Sequence, residues 1–250
     1  MIINKYLKKR EIINKDRIKN PEISVVLPTF NEEQLIEKLV NSLRTNLKNY
    51  KTEILIVDDN SKDQTPKIIN RLGKSNDIVA VHRLEERGLL SAFAEGFKNA
   101  NGKIIIMMDA DFSHPPELIP KLIKETKDYD ITTGSRFMKN GGMEASFSRR
   151  FSSIMLNKFI GIMLGIRLTD FTGNFHALRK GVFENLDFRI SSNFGDFDME
   201  LIYRAYKNGY KMKEVPFVYK FRKEGTSKMT NLFSFGWKYV RKVFMLRFGC

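Results

Sequence analysis

With 250 residues, 42% of them hydrophobic, and a single cysteine, the chain can bury roughly 70 to 75% of its unfolded surface in one large domain, which excludes a disulfide scaffold and a cysteine-rich zinc site. Its formal net charge of +14 sits mostly at the ends: residues 1–20 carry seven basic and two acidic side chains, residues 220–250 carry eight and one, and the 199 residues between are nearly neutral. The body is therefore not a generic polycation, and no run of about 18 uncharged apolar residues offers a spanning helix.

The N-terminal stretch MIINKYLKKREIINKDRIKN lacks the apolar core and small-residue cleavage site of a secretion leader, and it reads as a basic extension over residues 1–20 of an unprocessed cytosolic chain. From residue 23 to 133, short β-rich apolar runs alternate with amphipathic ones, the α/β signature. Strands are predicted at ISVVLP (23–28), EILIVD (53–58), IVAVH (78–82), KIIIMMD (103–109) and DITTG (130–134). Helices fit between them at 32–47, 64–72, 89–100 and 116–127, with Asn31 and Asp63 as expected caps and Pro116 suited to a first turn. After Gly134 the alternation stops, and a second half begins with GSRFMKNGGMEASFSRR (134–150), an apolar helix around 151–166 that is greasy nearly all round, and DFTGNFHALRK (170–180).

Ligands bind beyond the carboxyl ends of the strands in open parallel sheets, and four polar segments fall there: PTFNEE (28–33), DDNSKDQT (58–65), HRLEERG (82–88) and DADFSHPPE (109–117). Asp109 and Asp111 close a buried strand and leave it on the same side. Such a pair suits a hard cation like Mg2+, which takes one or two carboxylates and fills its shell with phosphate oxygens and water. Asp58 reads equally as a hydrogen-bond acceptor for a base or ribose and as a turn residue. Neither a P-loop nor a GxGxxG fingerprint is present, which argues against the enzymes built on them. Phosphate charge would instead be met by arginines and a lysine in the loops after the sheet, namely Arg136, Arg149, Arg150, Arg222 and Lys228. His82, His114 and His176 have neither a metal spacing nor a triad order; His114 reads as a turn-shaping residue or, less well, a general base.

Taken together, PTFNE, DDNSKDQT, GLLSAFAEGFKNA, DADFSHPPE, GSRFMKNGG, the Arg149-Arg150 pair, DFTGNF, FDMELIYRA and RKEGTSK resemble the dolichol-phosphate mannose synthase group of the family 2 glycosyltransferases, over residues 22–228. The resemblance implies a GT-A fold: a catalytic domain at 21–228 with a Rossmann-like nucleotide-sugar-binding sheet and flanking helices. It implies that Pro28, Asn31, Glu32 and Asp58 bind the nucleotide, and that Asp109 and Asp111 coordinate Mg2+ or Mn2+ at its diphosphate. Arg136, Arg150, Arg222 and Lys228 would contact donor or acceptor phosphates. Similar synthases carry glutamine at the position of Ser113, where it helps complete the metal site; serine is shorter and leaves room for an intervening water. The implied reaction moves mannose from GDP-mannose to dolichyl or another polyprenyl phosphate, with UDP-glucose or another UDP-sugar as the alternative donor.

The C-terminal stretch NLFSFGWKYVRKVFMLRF (231–248) interleaves aromatic and basic residues. With residues 229–250 as a whole it is expected to lie on an anionic membrane surface, making the enzyme peripheral on the cytoplasmic face; an ordinary packed helix is the alternative. A basic nucleic-acid-binding protein is the rival of another class. It fits poorly with a near-neutral body and a carboxylate-rich edge, so no nucleic-acid partner is expected.

Overall fold

The structure, a computed structural model, describes residues 10–14, 16–85, 87–186, 197–220 and 232–249. The strand runs foreseen in the first half form β2 (Ile23–Thr29), β3 (Thr52–Asp58), β4 (Ile78–Arg83), β5 (Ile104–Met107) and β6 (Ile131–Ser135). Before them, β1 (Arg10–Ile13) pairs antiparallel with β4. That strand lies inside the basic N-terminal stretch and covers an otherwise open sheet edge. Arg10 anchors it through an ion pair of 2.8 Å to Glu95.

After β6 the chain runs through β7 (Gly142–Met143), re-enters the main sheet as β8 (His176–Arg179) and β9 (Met212–Pro216), and ends its strands with β10 (Val218–Tyr219). The eight-stranded order is β1-β4-β3-β2-β5-β8-β6-β9, with β7 and β10 forming a separate parallel pair. Strands β4, β3, β2 and β5 are parallel, and β8 runs antiparallel between β5 and β6. The second half is therefore not a separate layer: it completes the same sheet.

Helices cover both faces. They are α1 (Ile36–Asn46), α2 (Thr65–Leu72), α3 (Leu89–Asn99), α4 (Ile119–Glu125), α5 (Phe147–Leu164), α6 (Lys180–Asn185), α7 (Phe197–Lys207) and α8 (Leu232–Phe248). The strands explain why two faces need covering. Val25, Leu27, Ile54, Ile56, Ile78 and Ala80 pack against α1, α2 and α4 on one side. Their neighbours Val26, Leu55, Val57, Val79 and Val81 pack against α3, α6 and α7 on the other. Both residues of each period-2 pair are apolar, as a doubly covered parallel sheet requires. Where α3 crosses β2, a Cβ on Gly96 would stand 2.2 Å from Val26 Cγ1, so only glycine allows that approach.

A third core joins α5, α7 and α8 through Ile160, Leu164, Met199, Ile202, Tyr239 and Val243. Among the described residues no helix is long and apolar enough to cross a membrane.

Two expected caps are corrected. The first helix begins at Ile36, not Glu32, and Asn31 does not cap it: Asn31 has a left-handed φ of 53°, and its Oδ1 accepts the Lys62 amide instead. Asp63 lies one residue outside the N-cap of α2, Gln64, yet its Oδ1 accepts the Thr65 amide at 2.9 Å and so ends the loop. Pro116 starts a short 3-10 turn, Pro116–Leu118, that leads into α4.

Candidate active site

The carboxyl ends of β2 to β6 and the loop entering the antiparallel β8 open on one edge of the sheet. Four of the six non-glycine residues with positive φ among the described residues sit there: Asn31, Asn60 (58°), Phe112 (62°) and Asn174 (50°). Asparagine tolerates that conformation, whereas a bulky side chain such as Phe112 adopts it only where its surroundings impose it.

The loops after β2 and β3 are stitched together. The Asn31 amide donates to Ser61 Oγ at 2.8 Å, and the Glu32 amide donates to Thr65 Oγ1 at 2.8 Å. Pro28 lies within β2 opposite Val57, and Glu32 is buried beside the same loop junction. Asp58 is buried at the end of β3. Its Oδ1 accepts the Ser61 amide and hydroxyl, while Oδ2 faces His82 Nδ1 at 3.2 Å across the strand register. The four expected nucleotide-binding residues thus share one corner, and Asn31, Glu32 and Asp58 are built into the chain's own hydrogen bonding. Sequence reasoning missed the neighbouring clip: Arg83 donates to Asp59 at 2.7 Å, and Asp59 accepts the Gly88 amide at 2.8 Å. An arginine continuing a buried strand was its one available signal.

Asp109 and Asp111 follow β5 and are half-buried. Asp111 Oδ1 accepts the Ser113 amide at 3.0 Å, and the Asp109 amide donates to His114 Nδ1 at 3.0 Å. The His114 ring is buried and stacks on Phe175, with centroids 4.7 Å apart and planes 5° apart. Burial pushes its pKa down to about 4, and the Arg136 charge adds to this against the opposing pull of Asp111. His114 is therefore neutral, with Nδ1 accepting and Nε2 carrying the proton. It shapes the turn under the carboxylates.

The two carboxylates fit a divalent cation that brings its remaining ligands with it. Among the described residues no group of three or more His, Cys, Asp or Glu side chains could hold a metal alone, and a hard cation at this pair would take the rest of its shell from substrate oxygens and water. Ser113 is buried next to them, its side chain facing the Tyr219 phenol, so one more oxygen stands beside the pair. Burial raises the Tyr219 phenol above its ordinary pKa, as do the charges of Asp109 and Asp111 beside it, against the opposing pull of the Ser113 hydrogen bond and the Arg136 charge.

Arg136 leaves the end of β6. Its Nε and Nη2 each donate at 2.7 Å to the two oxygens of Asp170, and Nη2 also donates to Thr172 Oγ1. Burial opposes its charge, but Asp170 outweighs burial and holds the guanidinium above its ordinary pKa. The guanidinium carbon lies 5.6 Å from the Tyr219 ring centre, which links Arg136 to the carboxylate end of the site.

The loop carrying Asp170 is held twice more. Glu214 Oε1 accepts the amides of Thr169 and Asp170 at 2.9 and 3.0 Å, and burial raises the Glu214 pKa despite those bonds. Asp198 accepts the Asn174 amide at 2.7 Å and faces His176 Nε2 at 2.5 Å. Burial alone would raise the Asp198 carboxyl, but His176 and the amide bring it below its usual range. Neither clamp was foreseen. For Glu214 the available signal was an acid inside the strand MKEVP.

Arg149 and Arg150 occupy the first turn of α5, which Ser146 caps by accepting the Arg149 amide. The positive end of a helix normally favours acids, so two arginines there suit an anionic ligand. Arg222 and Lys228, the remaining expected phosphate contacts, lie outside the described residues.

Residues 24–187 match the family described as Glycosyl transferase family 2. The chain is 35% identical over 235 residues to a dolichol-phosphate mannosyltransferase of Pyrococcus furiosus, a match covering 90% of this chain and 63% of that protein. It is 30% identical over 214 residues to an undecaprenyl-phosphate mannosyltransferase of Micrococcus luteus, covering 83% and 87% respectively. It thus spans under two thirds of the P. furiosus protein and most of the M. luteus one. Among solved structures, glucosyl-3-phosphoglycerate synthase from Mycobacterium tuberculosis in complex with Mn2+, UDP and glucosyl-3-phosphoglycerate superposes with a TM-score of 0.68 at 16% identity, over 91% of this chain and 80% of that one. The likeness in fold confirms the expected GT-A architecture, and the sequence match places the protein: the chain belongs to glycosyl transferase family 2.

Proposed function

We propose that this glycosyltransferase moves mannose from GDP-mannose to dolichyl or another polyprenyl phosphate, with inversion, giving a lipid-linked β-mannosyl phosphate. The observation that carries this reading is the state of the imidazoles. The chain's three histidines, His82, His114 and His176, are all buried, and each is committed to an aspartate or a backbone amide. With its ring so engaged, none is placed as a general base, which fits an acceptor that needs none. An acceptor that needs no base is one that is already an anion, and a lipid monophosphate is such a nucleophile at neutral pH. The names of the two mannosyltransferase relatives support the same acceptor class and the same sugar.

In this reading Asp109 and Asp111 hold Mg2+ or Mn2+, with Ser113 beside them. The bound cation supplies positive charge to the departing nucleoside diphosphate. The protein's own part is positioning and electrostatics. Pro28, Asn31, Glu32 and Asp58 seat the nucleoside. Arg136, fixed by Asp170, keeps a permanent charge at the phosphate end of the site, and Arg150 receives the acceptor phosphate at the start of α5, with Arg222 and Lys228 expected to add to that charge. The acceptor oxygen attacks the anomeric carbon from the face opposite the leaving diphosphate, so an α-linked donor yields a β-linked product. Nucleotide sugar and lipid phosphate meet at the cytoplasmic face of a membrane, where the enzyme works as a peripheral protein.

The solved neighbours were crystallised with UDP and UDP-glucose, which makes a UDP-sugar the competing donor. Thermal shifts with GDP and UDP, each with Mg2+ or Mn2+, separate the two. Stabilisation by GDP is expected, and stabilisation by UDP alone would replace the donor while leaving the reaction class intact.

A further inference from the structure

Resting on the reading of Asp58 as a contact of the nucleoside, we infer that His82 is a positioning residue that sets the base specificity of the donor site through Asp58. His82 lies near the end of β4, with Asp58 at the end of β3 as its register partner. Its ring joins β4 to two other elements. Nδ1 faces Asp58 Oδ2 at 3.2 Å, and Nε2 faces Oδ1 of Asn70, on α2, at 2.6 Å. Both oxygens are acceptors, so the ring meets each of them as a donor.

Asp58 continues the chain of bonds. Its Oδ1 accepts the Ser61 amide at 3.3 Å and the Ser61 hydroxyl, and the same Ser61 Oγ accepts the Asn31 amide at 2.8 Å. One line of hydrogen bonds therefore runs from Asn70 through His82, Asp58 and Ser61 to Asn31, from α2 across β4 and β3 to the loop after β2. Asp58 is 1% exposed and His82 5%, so these bonds, not water, set where the carboxylate points.

A carboxylate offers about four acceptor sites, two on each oxygen. Ser61 takes both on Oδ1 and His82 takes one on Oδ2, so among the described residues one site is left, on the oxygen that His82 touches. A single acceptor suits a single ring N–H. Guanine and uracil carry one at their pairing edge, whereas adenine and cytosine present a bare ring nitrogen there, which a carboxylate repels. A site built around such a hydrogen bond rejects a base that lacks it. By holding Oδ2 in place, the imidazole holds the atom that makes this choice.

Binding of GDP, UDP, ADP and inorganic pyrophosphate, each with Mg2+, is measured by calorimetry on the full chain. The variants are His82→Leu, His82→Asn, Asp58→Asn and the double His82→Leu/Asp58→Asn. His82→Leu is expected to weaken the preferred nucleotide about tenfold, as for one hydrogen bond to a charged group, and to narrow its margin over ADP. Pyrophosphate, which has no base, should stay within about twofold, and donor KM should rise with kcat unchanged. His82→Asn puts an amide nitrogen close to where Nδ1 stands and should recover most of the affinity. In the Asp58→Asn chain the leucine change should add nothing. Asn70→Leu, at an exposed position of α2, covers the case in which leucine at 82 does not fold, and should weaken nucleotide but not pyrophosphate by about threefold. Equal weakening of nucleotide and pyrophosphate, additive losses in the double variant, or an asparagine variant as weak as the leucine one would overturn the role of His82 while leaving Asp58 in the site. Wild-type nucleotide affinity in Asp58→Asn would overturn the reading of Asp58 and the role of His82 with it. A preference for UDP over GDP changes the donor and supports the role if the same pattern holds, because uracil offers the same N–H.

Discussion

The backbone amide of Asp109 donates to Nδ1 of His114 across a five-residue turn, so the first carboxylate of the acidic pair is set in place by a neutral, buried imidazole. This assigns His114 a supporting role that a base cannot share, because the nitrogen a base would use is occupied. Asparagine can place Oδ1 close to where Nδ1 stands and still accept that amide. His114→Asn is therefore expected to keep more transferase activity than His114→Ala, which leaves the amide unpaired and opens a cavity against Phe175. The alanine variant should lose roughly 2 to 4 kcal/mol of stability. Steady-state kinetics and urea unfolding check both; equal and near-complete loss of kcat in the two variants at unchanged KM would instead indicate a base.

The clip between Arg136 and Asp170 is buried and bidentate, so its two halves are worth little apart. Asp170→Asn strands a permanent charge and is expected to destabilise the protein by about 3 to 5 kcal/mol. Arg136→Met in the same chain should recover most of that stability but no activity. Chemical denaturation of the two singles and the double variant measures the coupling. Additive effects would mean that Asp170 does not hold Arg136.

Glu214 offers a pH test away from the acidic pair. Its carboxyl is raised above the ordinary 4.5 by burial, so the folded state prefers it protonated. The stability this contributes is fully present below pH 4.5 and lost as pH rises through the raised value, because the unfolded chain gives up its proton first. Glu214→Gln copies the protonated side chain and keeps an oxygen for the Thr169 and Asp170 amides. Its stability relative to wild type should therefore improve as pH rises from 4.5 towards neutrality, while Glu214→Ala is destabilised throughout. Urea midpoints across that range decide it; a Gln-to-wild-type difference that is flat with pH contradicts the assignment.

These residues also mark what could be read from the chain alone. Strands β2 to β6 were legible because runs such as Val25 to Leu27 and Ile54 to Val57 bury both alternations, a pattern that only a doubly covered strand sustains. The place of Asp109 and Asp111 just beyond β5 was legible because two acids follow such a run. β8 was not, since the four residues HALR carry no period of their own and are strand only because β5 and β6 flank them. β1 was masked by its charge. The clips escaped notice for a different reason: Arg136 and Asp170 are 34 residues apart, Asp58 and His82 are 24 apart, and His176 and Asp198 are 22 apart. Nothing local marks partners that only the sheet's topology brings together. Asn31, read as a cap, belongs to a loop whose left-handed turn delays the helix to Ile36.

The most direct test of the central claim is transfer of radiolabelled mannose from GDP-mannose to a short polyprenyl phosphate, with and without Mn2+, in the wild type and in Asp111→Ala. A lipid-linked product that requires the metal and falls by about 100-fold or more in the variant is expected, as for loss of a group that stabilises leaving-group charge. Product from UDP-glucose but not GDP-mannose would contradict the donor, and no lipid-linked product from either would contradict the reaction itself.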